Sequence, residues 1–260
     1  MTEDGVGFLE QAGVARITLS RPEVKNALDR STWAAFARAV AAAKKSAARV
    51  IVVEGAGGAF SAGGDLKSIE ERLVLPSEAR RAQLTADAQG IRELVEIGRP
   101  TLALIDGPAM GAGLAIALAC DLRLASARSR LSCAFRKVGL AADFGVSWLL
   151  PRLVGRGRAL DLLYSGELLS ADAAKAYGLV ERVYSDERWK EDSEAYVQAL
   201  ATGPAALRII RRVVDEVGMR SLAESIEIEA GGQAEASRTK DAHEGARAFL
   251  EKRPPVFSGE

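Results

Sequence analysis

Near the start of the chain, apolar positions follow a strand pattern, then a helix pattern, then a strand pattern again. Residues 14–19, VARITL, alternate apolar and polar positions, which predicts a half-buried strand. Residues 31–45 predict a helix that Ser31 caps and that ends in two lysines, as the helix dipole favours. The apolar face of this helix comprises Trp33, Phe36, Ala37 and Val40. A second predicted strand, residues 50–53, follows the helix.

The same order continues through two glycine-rich loops. The first loop leads into a short helix from residue 65, a strand follows at 101–105, and the second loop leads into a helix over about 112–120. Strands that alternate with helices predict an α/β fold, with a parallel or mixed sheet covered by helices. Folds of this kind usually carry their functional residues on the loops at the strand ends.

Beyond Gly155 the pattern becomes mostly helical, and no linker or low-complexity tract interrupts the chain. One short helix in this part has Ser170 as its predicted N-cap and Gly178 as its predicted stop. We therefore expect a core of residues 1–202 with an attached C-terminal helical region of residues 203–260.

Residues 75–90, LPSEARRAQLTADAQG, are polar and small, and two interpretations fit them. The segment is either a mobile cover over a functional site or an ordinary solvated helix. The solvated helix is the favoured interpretation.

Composition narrows the possible functions and partners. The 260 residues are 48% hydrophobic, enough for one large core, and 35 basic residues balance 35 acidic ones. This balance favours neither nucleic acid nor an anionic membrane as a partner, and no apolar run reaches the roughly 20 residues that span a bilayer. The two cysteines lie in apolar runs, and the N-terminal MTEDGVGF lacks the regions of a signal peptide. We therefore expect a reduced, cytoplasmic setting.

The two glycine-rich loops, residues 55–67 and 106–121, are the most unusual segments. Neither has the phosphate-loop pattern GxxxxGK[ST] or a complete GxGxxG, which disfavours nucleotide hydrolysis and nicotinamide binding. Small residues at a turn from strand to helix let a ligand approach the backbone and leave N–H groups free. Two such loops can direct two N–H donors at one oxygen, which is the arrangement of an oxyanion hole. The small residues alternatively permit close helix packing.

Five segments, in order across nearly the whole chain, resemble the crotonase (enoyl-CoA hydratase/isomerase) superfamily. They are ITLSRPEVKNAL, AFSAGGDLK, DGPAMGAGLAIALACDLRLAS, GLAADFGVSWLLPRLVG and AFLEKRPPVF. The resemblance implies a crotonase-like superhelix of repeated ββα units with a C-terminal helical region that mediates trimerisation, and trimers that often pair into hexamers. It also implies an acyl-CoA thioester as the substrate, with no metal or redox cofactor.

The resemblance also implies roles for individual residues. Gly64 and Ala112 match the positions that supply the two oxyanion N–H groups. Ala112 stands where glycine is commoner, but the donor is a backbone group, so the hydrogen bond should be kept. The residues that resemble those holding coenzyme A in the family are Glu23, Lys25, Ala27, Ala62, Asp65 and Leu66. Phe249 and Lys252 resemble C-terminal residues that reach a CoA bound to another subunit. For Asp65, N-capping of the helix that begins LKSIEE is favoured over a catalytic role.

The chain departs from the hydratases of the family at both of their catalytic glutamates. The matching positions hold Ala115 and Phe135, which disfavours hydration by the usual mechanism. An acid remains at Asp143, within ADFGVSWLLPRLVG, which resembles the corresponding segment of 2-(1,2-epoxy-1,2-dihydrophenyl)acetyl-CoA isomerases and other enoyl-CoA isomerases. Phe135 is a candidate wall of the acyl pocket, together with Phe144 and Trp148.

One carboxylate suffices to isomerise an enoyl thioester, because it can remove a proton from one carbon and return it two carbons away. The apolar neighbours of Asp143 are expected to raise its pKa toward the range suited to this transfer. Alternatively, Asp143 N-caps the helix FGVSWLL. Asp121 and His243 are expected to be structural and surface residues, respectively.

Other functions remain open from the sequence. The chain is alternatively a hydratase or hydrolase whose acid comes from elsewhere, or a non-catalytic acyl-CoA binding protein. Nucleophilic attack by Asp143 on an aryl-CoA, as in the dehalogenases of the family, is less favoured because no tryptophan lies at the expected approach to the ring.

Overall fold

The computed structural model describes residues 2–260. In this range ten strands form two sheets. The strands are β1 (Thr2–Glu3), β2 (Val6–Gln11), β3 (Val14–Leu19), β4 (Val50–Gly55), β5 (Thr101–Ile105), β6 (Pro108–Met110), β7 (Leu122–Ser126), β8 (Arg130–Ser132), β9 (Leu169–Ser170) and β10 (Arg182–Tyr184). The larger sheet has the order β1-β2-β3-β4-β5-β7-β10, and the smaller has the order β6-β8-β9.

Twelve helices cover the sheets within the same residues. They are α1 (Arg30–Lys45), α2 (Leu66–Leu73), α3 (Ser77–Asp87), α4 (Gln89–Val95), α5 (Ala112–Leu118), α6 (Val146–Val154), α7 (Arg156–Ser165), α8 (Ala171–Ala176), α9 (Trp189–Ala201), α10 (Ala206–Val217), α11 (Leu222–Ala236) and α12 (Lys240–Glu251). Short 3-10 turns occupy Pro22–Val24 and Phe135–Val138. No helix of the described residues is long and apolar enough to cross a membrane.

The larger sheet is antiparallel at one end and parallel from β3 to β10, as the alternation of strands and helices predicts. Strands β4 and β5 are buried almost throughout because helices cover both faces of the sheet. After β5 and after β7, the chain adds a strand of the smaller sheet before the next helix. These repeats are the ββα units of a crotonase-like α/β fold.

Helix α1 begins one residue earlier than the sequence predicts, and its N-cap is Asp29 rather than Ser31. The Thr32 N–H donates to Asp29 Oδ1 at 2.8 Å, and the Ser31 hydroxyl also donates to this oxygen, at 2.7 Å. A carboxylate accepts several such bonds at once, so Asp29 is the stronger cap. The predicted apolar face is correct, because Trp33 and Phe36 are buried in the core.

Two further predictions in the helical parts are confirmed. Residues 77–87 form α3, so the 75–90 segment is helical as favoured, but Arg80 and Leu84 of this helix also line a cavity, so the helix is not merely solvated. Ser170 caps α8 by accepting from the Ala173 N–H, and Gly178 follows this helix with a φ of 79°.

Polar contacts attach the C-terminal helices to the rest of the chain and to one another. Asp121, predicted to be structural, accepts from the Thr101 N–H at 2.8 Å and forms an ion pair with Arg211 of α10. Asp241 of α12 accepts from the Ala205 and Gly259 N–H groups, each at 2.8 Å. The boundary between a core and a C-terminal region after residue 202 stays a prediction.

Candidate active site

The two glycine-rich loops lie side by side in the fold. The Ser61 N–H donates to the Pro108 carbonyl, and the Met110 N–H donates to the Ser61 carbonyl, both at 2.9 Å. A Cβ on Gly113 would lie 2.5 Å from the Ser61 Cβ, and one on Gly63, whose φ is +94°, would lie 2.7 Å from the Met110 oxygen. Glycine at these two positions is therefore required for the close approach of the loops.

This approach leaves two backbone donors unused at the positions that the sequence singles out. The adjacent amides are engaged, since the Gly63 N–H donates to Ser61 Oγ at 3.1 Å and the Gly111 N–H to the Ser132 carbonyl at 2.9 Å. Within the described chain, neither the Gly64 N–H nor the Ala112 N–H donates to a protein acceptor. Ala112 is the first residue of α5, where N–H groups have no partner inside the helix.

Both residues line a cavity of about 390 Å³. Of the ten other predicted site residues, four also line it: Ala62, Leu66, Phe135 and Asp143. The remaining wall is mostly apolar and includes Ile69, Leu73, Leu84, Val138, Leu140 and Phe144. The cavity therefore suits an apolar ligand with a polar group held at the two amides.

Among residues 2–260, Asp143 is the single carboxylate that lines this cavity. Its side chain does not cap α6, because the N-cap of that helix is Gly145 and receives no side-chain hydrogen bond. The Val146 N–H donates instead to the main-chain carbonyl of Asp143, at 3.1 Å. The Oδ1 atom of Asp143 is buried and has no hydrogen-bond partner. The capping interpretation of Asp143 is therefore wrong.

The backbone next to Asp143 is held in an uncommon conformation. Phe144 has a φ of +51°, which costs energy for a residue with a Cβ. The Phe144 ring stacks on Trp33 of α1, with 4.2 Å between the ring centroids and 11° between the planes. This stacking fixes the loop that carries Asp143 against the core.

Burial changes the acidity of Asp143. Loss of solvent raises the pKa of its carboxyl from 3.8 to about 6, while the positive charge of Arg72 acts in the opposite direction. Arg72 also lines the cavity and is itself buried, with its guanidinium 3.3 Å from Asp87 Oδ2. Asp143 thus changes protonation state near pH 6, above the range of an exposed aspartic acid, because it is largely out of water.

The positions of the two hydratase glutamates offer no acid to the cavity. Ala115 is fully buried in α5, and Phe135 places an aromatic ring in the cavity wall. Phe144 also lines the cavity, as expected. Trp148 does not: its side chain is 53% exposed and lies under the Arg152 guanidinium, 3.7 Å from the ring centroid.

The residues predicted to hold coenzyme A fall into two groups. The loop that contains Glu23, Lys25 and Ala27 lies outside the cavity but adjoins it, because the Ala62 N–H donates to the Lys25 carbonyl at 2.8 Å. Asp65 caps α2 by accepting from the Lys67 and Ser68 N–H groups, as predicted.

The second group lies apart from the cavity. Phe249 and Lys252, at the end of α12, are exposed and do not line the cavity of their own chain. Their predicted contact with a CoA bound to another subunit stays a prediction.

The sequence interpretation missed three residues of this region. Arg72 and Arg80 contribute guanidinium groups to the cavity. Buried Asn26 connects the loops by donating to the Ala56 and Ala59 carbonyls. Asn26 has a φ of +56°, which asparagine adopts more readily than most residues, so the pair Lys25 and Asn26 indicates a turn in the sequence. No such signal marks Arg72 and Arg80, because their sequence context is typical of a solvated helix.

Comparison with known proteins gives a consistent result. Residues 9–260 match the family model described as Enoyl-CoA hydratase/isomerase. The chain is 32% identical over 253 residues to 1,2-epoxyphenylacetyl-CoA isomerase of Escherichia coli, with 96% of each chain covered. It is 33% identical over 260 residues to mitochondrial methylglutaconyl-CoA hydratase of Mus musculus, with 96% of this chain and 81% of the relative covered.

A solved structure shows the same fold. The crystal structure of an enoyl-CoA hydratase from Bacillus anthracis superposes with a TM-score of 0.90 at 29% identity, and the match covers 98% of this chain and 100% of that chain. The similar proteins thus carry the names of both isomerases and hydratases.

Proposed function

Because the chain belongs to the enoyl-CoA hydratase/isomerase family, we propose that it is an enoyl-CoA isomerase. In this proposal it moves a double bond along the acyl chain of a coenzyme A thioester, with Asp143 as the proton shuttle. The supporting observation is the isolation of Asp143, the single carboxylate that the described chain places in a cavity with two unused amides.

The proposed reaction needs one acid–base group and one anion site. The thioester oxygen accepts hydrogen bonds from the Gly64 and Ala112 N–H groups. The Asp143 carboxylate removes a proton from the carbon next to the thioester carbonyl, and the electrons of that C–H bond form a dienolate whose charge rests on the thioester oxygen. The protonated Asp143 then returns the proton two carbons farther along, so a 3-enoyl thioester becomes a 2-enoyl thioester.

The environment of Asp143 suits both halves of this transfer. A carboxyl with a pKa of about 6 is mostly ionised at neutral pH, and its carboxylate is a stronger base than that of an exposed aspartate. Its acid form is still far more acidic than the C–H bond that forms when it returns the proton. Each oxyanion donor contributes about 10²–10³ in rate in enzymes where one has been removed. In this proposal no metal or redox cofactor takes part.

Coenzyme A is proposed to lie along the loop of Glu23, Lys25 and Ala27, with Ala62 and Leu66 at the cavity entrance. The proposal also includes a homotrimer, which pairs into a hexamer, in which Phe249 and Lys252 of one subunit reach the CoA bound to another.

The test compares the wild type with Asp143→Asn on a panel of 3-enoyl- and 2-enoyl-CoA thioesters that includes an aryl member. Products are separated by chromatography and identified by mass. We expect isomers of unchanged mass from the wild type, and a loss of about 10²–10⁴ in kcat for the variant, because general acid–base catalysis contributes that much. Binding of the thioester should persist in the variant, since its backbone donors are intact.

Asp161→Asn is the matched control, because Asp161 is an exposed aspartate of α7 outside the cavity. This control should keep full activity. Isomerisation that survives in Asp143→Asn would refute the proposal.

Hydration is the second candidate, because close relatives such as the mouse enzyme are named hydratases. It predicts a product heavier by one water, with label incorporated from isotopically enriched water. Saturable thioester binding without any product would instead favour a non-catalytic acyl-CoA binding protein.

A further inference from the structure

A second, more open cavity of about 630 Å³ begins where the first one ends. The two cavities share Arg80, Leu84, Asp143 and Phe144, but the second does not reach the amides of the glycine-rich loops. An acyl chain that starts at those amides and passes Asp143 therefore points toward the second cavity. This direction rests on the proposed function.

The second cavity differs from the first in the residue types that line it. Its other lining residues are Ser77, Arg81, Thr85, Ala88, Gln89 and Arg92. Among the residues that the structure describes, Asp143 is the single acid in this lining, against three arginines. The far end of the acyl site therefore offers arginine side chains along a surface that, as near the amides, is mostly apolar.

Arg80 stands at the junction of the two cavities without an anionic partner. One of its terminal nitrogens donates to the Leu73 and Leu75 carbonyls, at 3.0 and 3.2 Å. Its Nε atom is buried without a hydrogen-bond partner, and no carboxylate of the described chain lies within ion-pair distance. By contrast, Arg72 pairs with Asp87 and Arg92 pairs with Glu96.

A partly buried guanidinium without a counter-charge is costly unless an anion meets it. We propose that the acyl group accepted by this site carries a carboxylate at the end distal to the thioester, and that Arg80 binds this carboxylate. The carboxylate is met by the other terminal nitrogen, Nη1, which donates to no acceptor of the described chain, whereas Nη2 is engaged by the two carbonyls. Arg81, which also lines the second cavity, adds positive charge on the same side.

The experiment uses pairs of 3-enoyl-CoA thioesters of equal chain length, one ending in a methyl group and the other in a carboxylate. The measured quantity is kcat/KM for isomerisation of each member. We expect the wild type to favour the carboxylate by on the order of 10- to 100-fold, the range of a hydrogen bond to a charged group. Arg80→Met should abolish this preference, measured as the ratio of the two kcat/KM values.

Two further variants keep the test interpretable. Arg80→Lys retains the positive charge but replaces the planar guanidinium with a flexible ammonium group, so it should keep part of the preference. Arg38→Met is the control. Arg38 is an exposed arginine of α1 that pairs with Asp4 and lines neither cavity, so its removal should leave the preference unchanged. Turnover of the methyl-ended substrate by Arg80→Met also shows that this variant is folded.

The outcomes separate this inference from the proposed function. If the wild type isomerises the methyl-ended substrate equally well or better, and Arg80→Met does not change the ratio, the carboxylate inference is wrong and the isomerase proposal stands. If neither substrate is isomerised, the proposed function itself is wrong, and with it the orientation on which the inference rests.

Discussion

Asp143 shows how a single residue acquires its chemistry from its surroundings. Its pKa of about 6 comes first from burial, and the charge of Arg72 reduces the effect. The base in the proposed reaction is the ionised carboxylate. We therefore expect kcat/KM for a neutral enoyl thioester to fall as pH drops through about 6 and to level off above it.

Arg72 gives this pH dependence a second test. Removal of its positive charge in Arg72→Met should raise the apparent pKa of the profile, since the carboxylate then loses a favourable interaction. The measurement is kcat/KM from pH 5 to pH 9 for both proteins. An unmoved midpoint in the variant would show that Arg72 does not act on Asp143.

Only part of this residue-level description follows from the sequence. The isolation of Asp143 and the absence of acids at Ala115 and Phe135 are visible in the sequence, and the expected rise in pKa agrees with the structure. Two of the predicted caps are wrong, because two candidate residues precede α1 and a turn of positive φ at Phe144 and Gly145 separates Asp143 from α6. Asp29 rather than Ser31 caps α1, and no side chain caps α6.

At the scale of elements, the site depends on the contact between two loops and the start of α5. A Cβ at Gly113 would lie 2.5 Å from the Ser61 Cβ, a distance that ordinary packing does not allow. We expect Gly113→Ala to lower the free energy of unfolding by about 1–3 kcal/mol, as overpacking does. The same change should displace the Ala112 amide and lower kcat.

Gly231 of α11 supplies the matched control, because a Cβ there meets nothing within 4 Å. Gly231→Ala should raise the free energy of unfolding by about 0.5–1 kcal/mol, through better helix propensity, and should leave kcat unchanged. Urea unfolding and steady-state kinetics of both variants provide the measurements. Equal effects from the two substitutions would contradict the role assigned to the loop contact.

The long elements were predictable and the short ones were not. Strand β3 and strand β5 have the predicted bounds, because five or six residues suffice to show their pattern. The smaller sheet was not predicted, since β6, β8 and β9 contain only two or three residues each. Its pairing depends on contacts between distant segments, which a local pattern does not record.

At the scale of the whole molecule, the C-terminal helices expose many large apolar side chains. They include Ile210, Val214, Leu222, Ile226, Phe249 and Leu250. On α10, buried Ile209 faces the chain's own interior, whereas Ile210 and Val214 are 57% and 64% exposed. Exposed apolar side chains on α10 and α11, which pack against each other, indicate an interaction site, as the proposed trimer requires.

This pattern predicts that Ile210→Asp combined with Val214→Asp dissociates the assembly, because two charges would be buried without partners at the interface. Sedimentation velocity should give a trimer or hexamer for the wild type and a monomer for the double variant. The control Leu9→Asp, at an exposed apolar residue of β2, should leave the assembly intact.

If Phe249 and Lys252 do reach a neighbouring CoA, dissociation should also raise KM for the thioester. A monomeric wild type would refute the proposed trimer, and an unchanged KM in the monomeric variant would refute the contact across the subunit boundary.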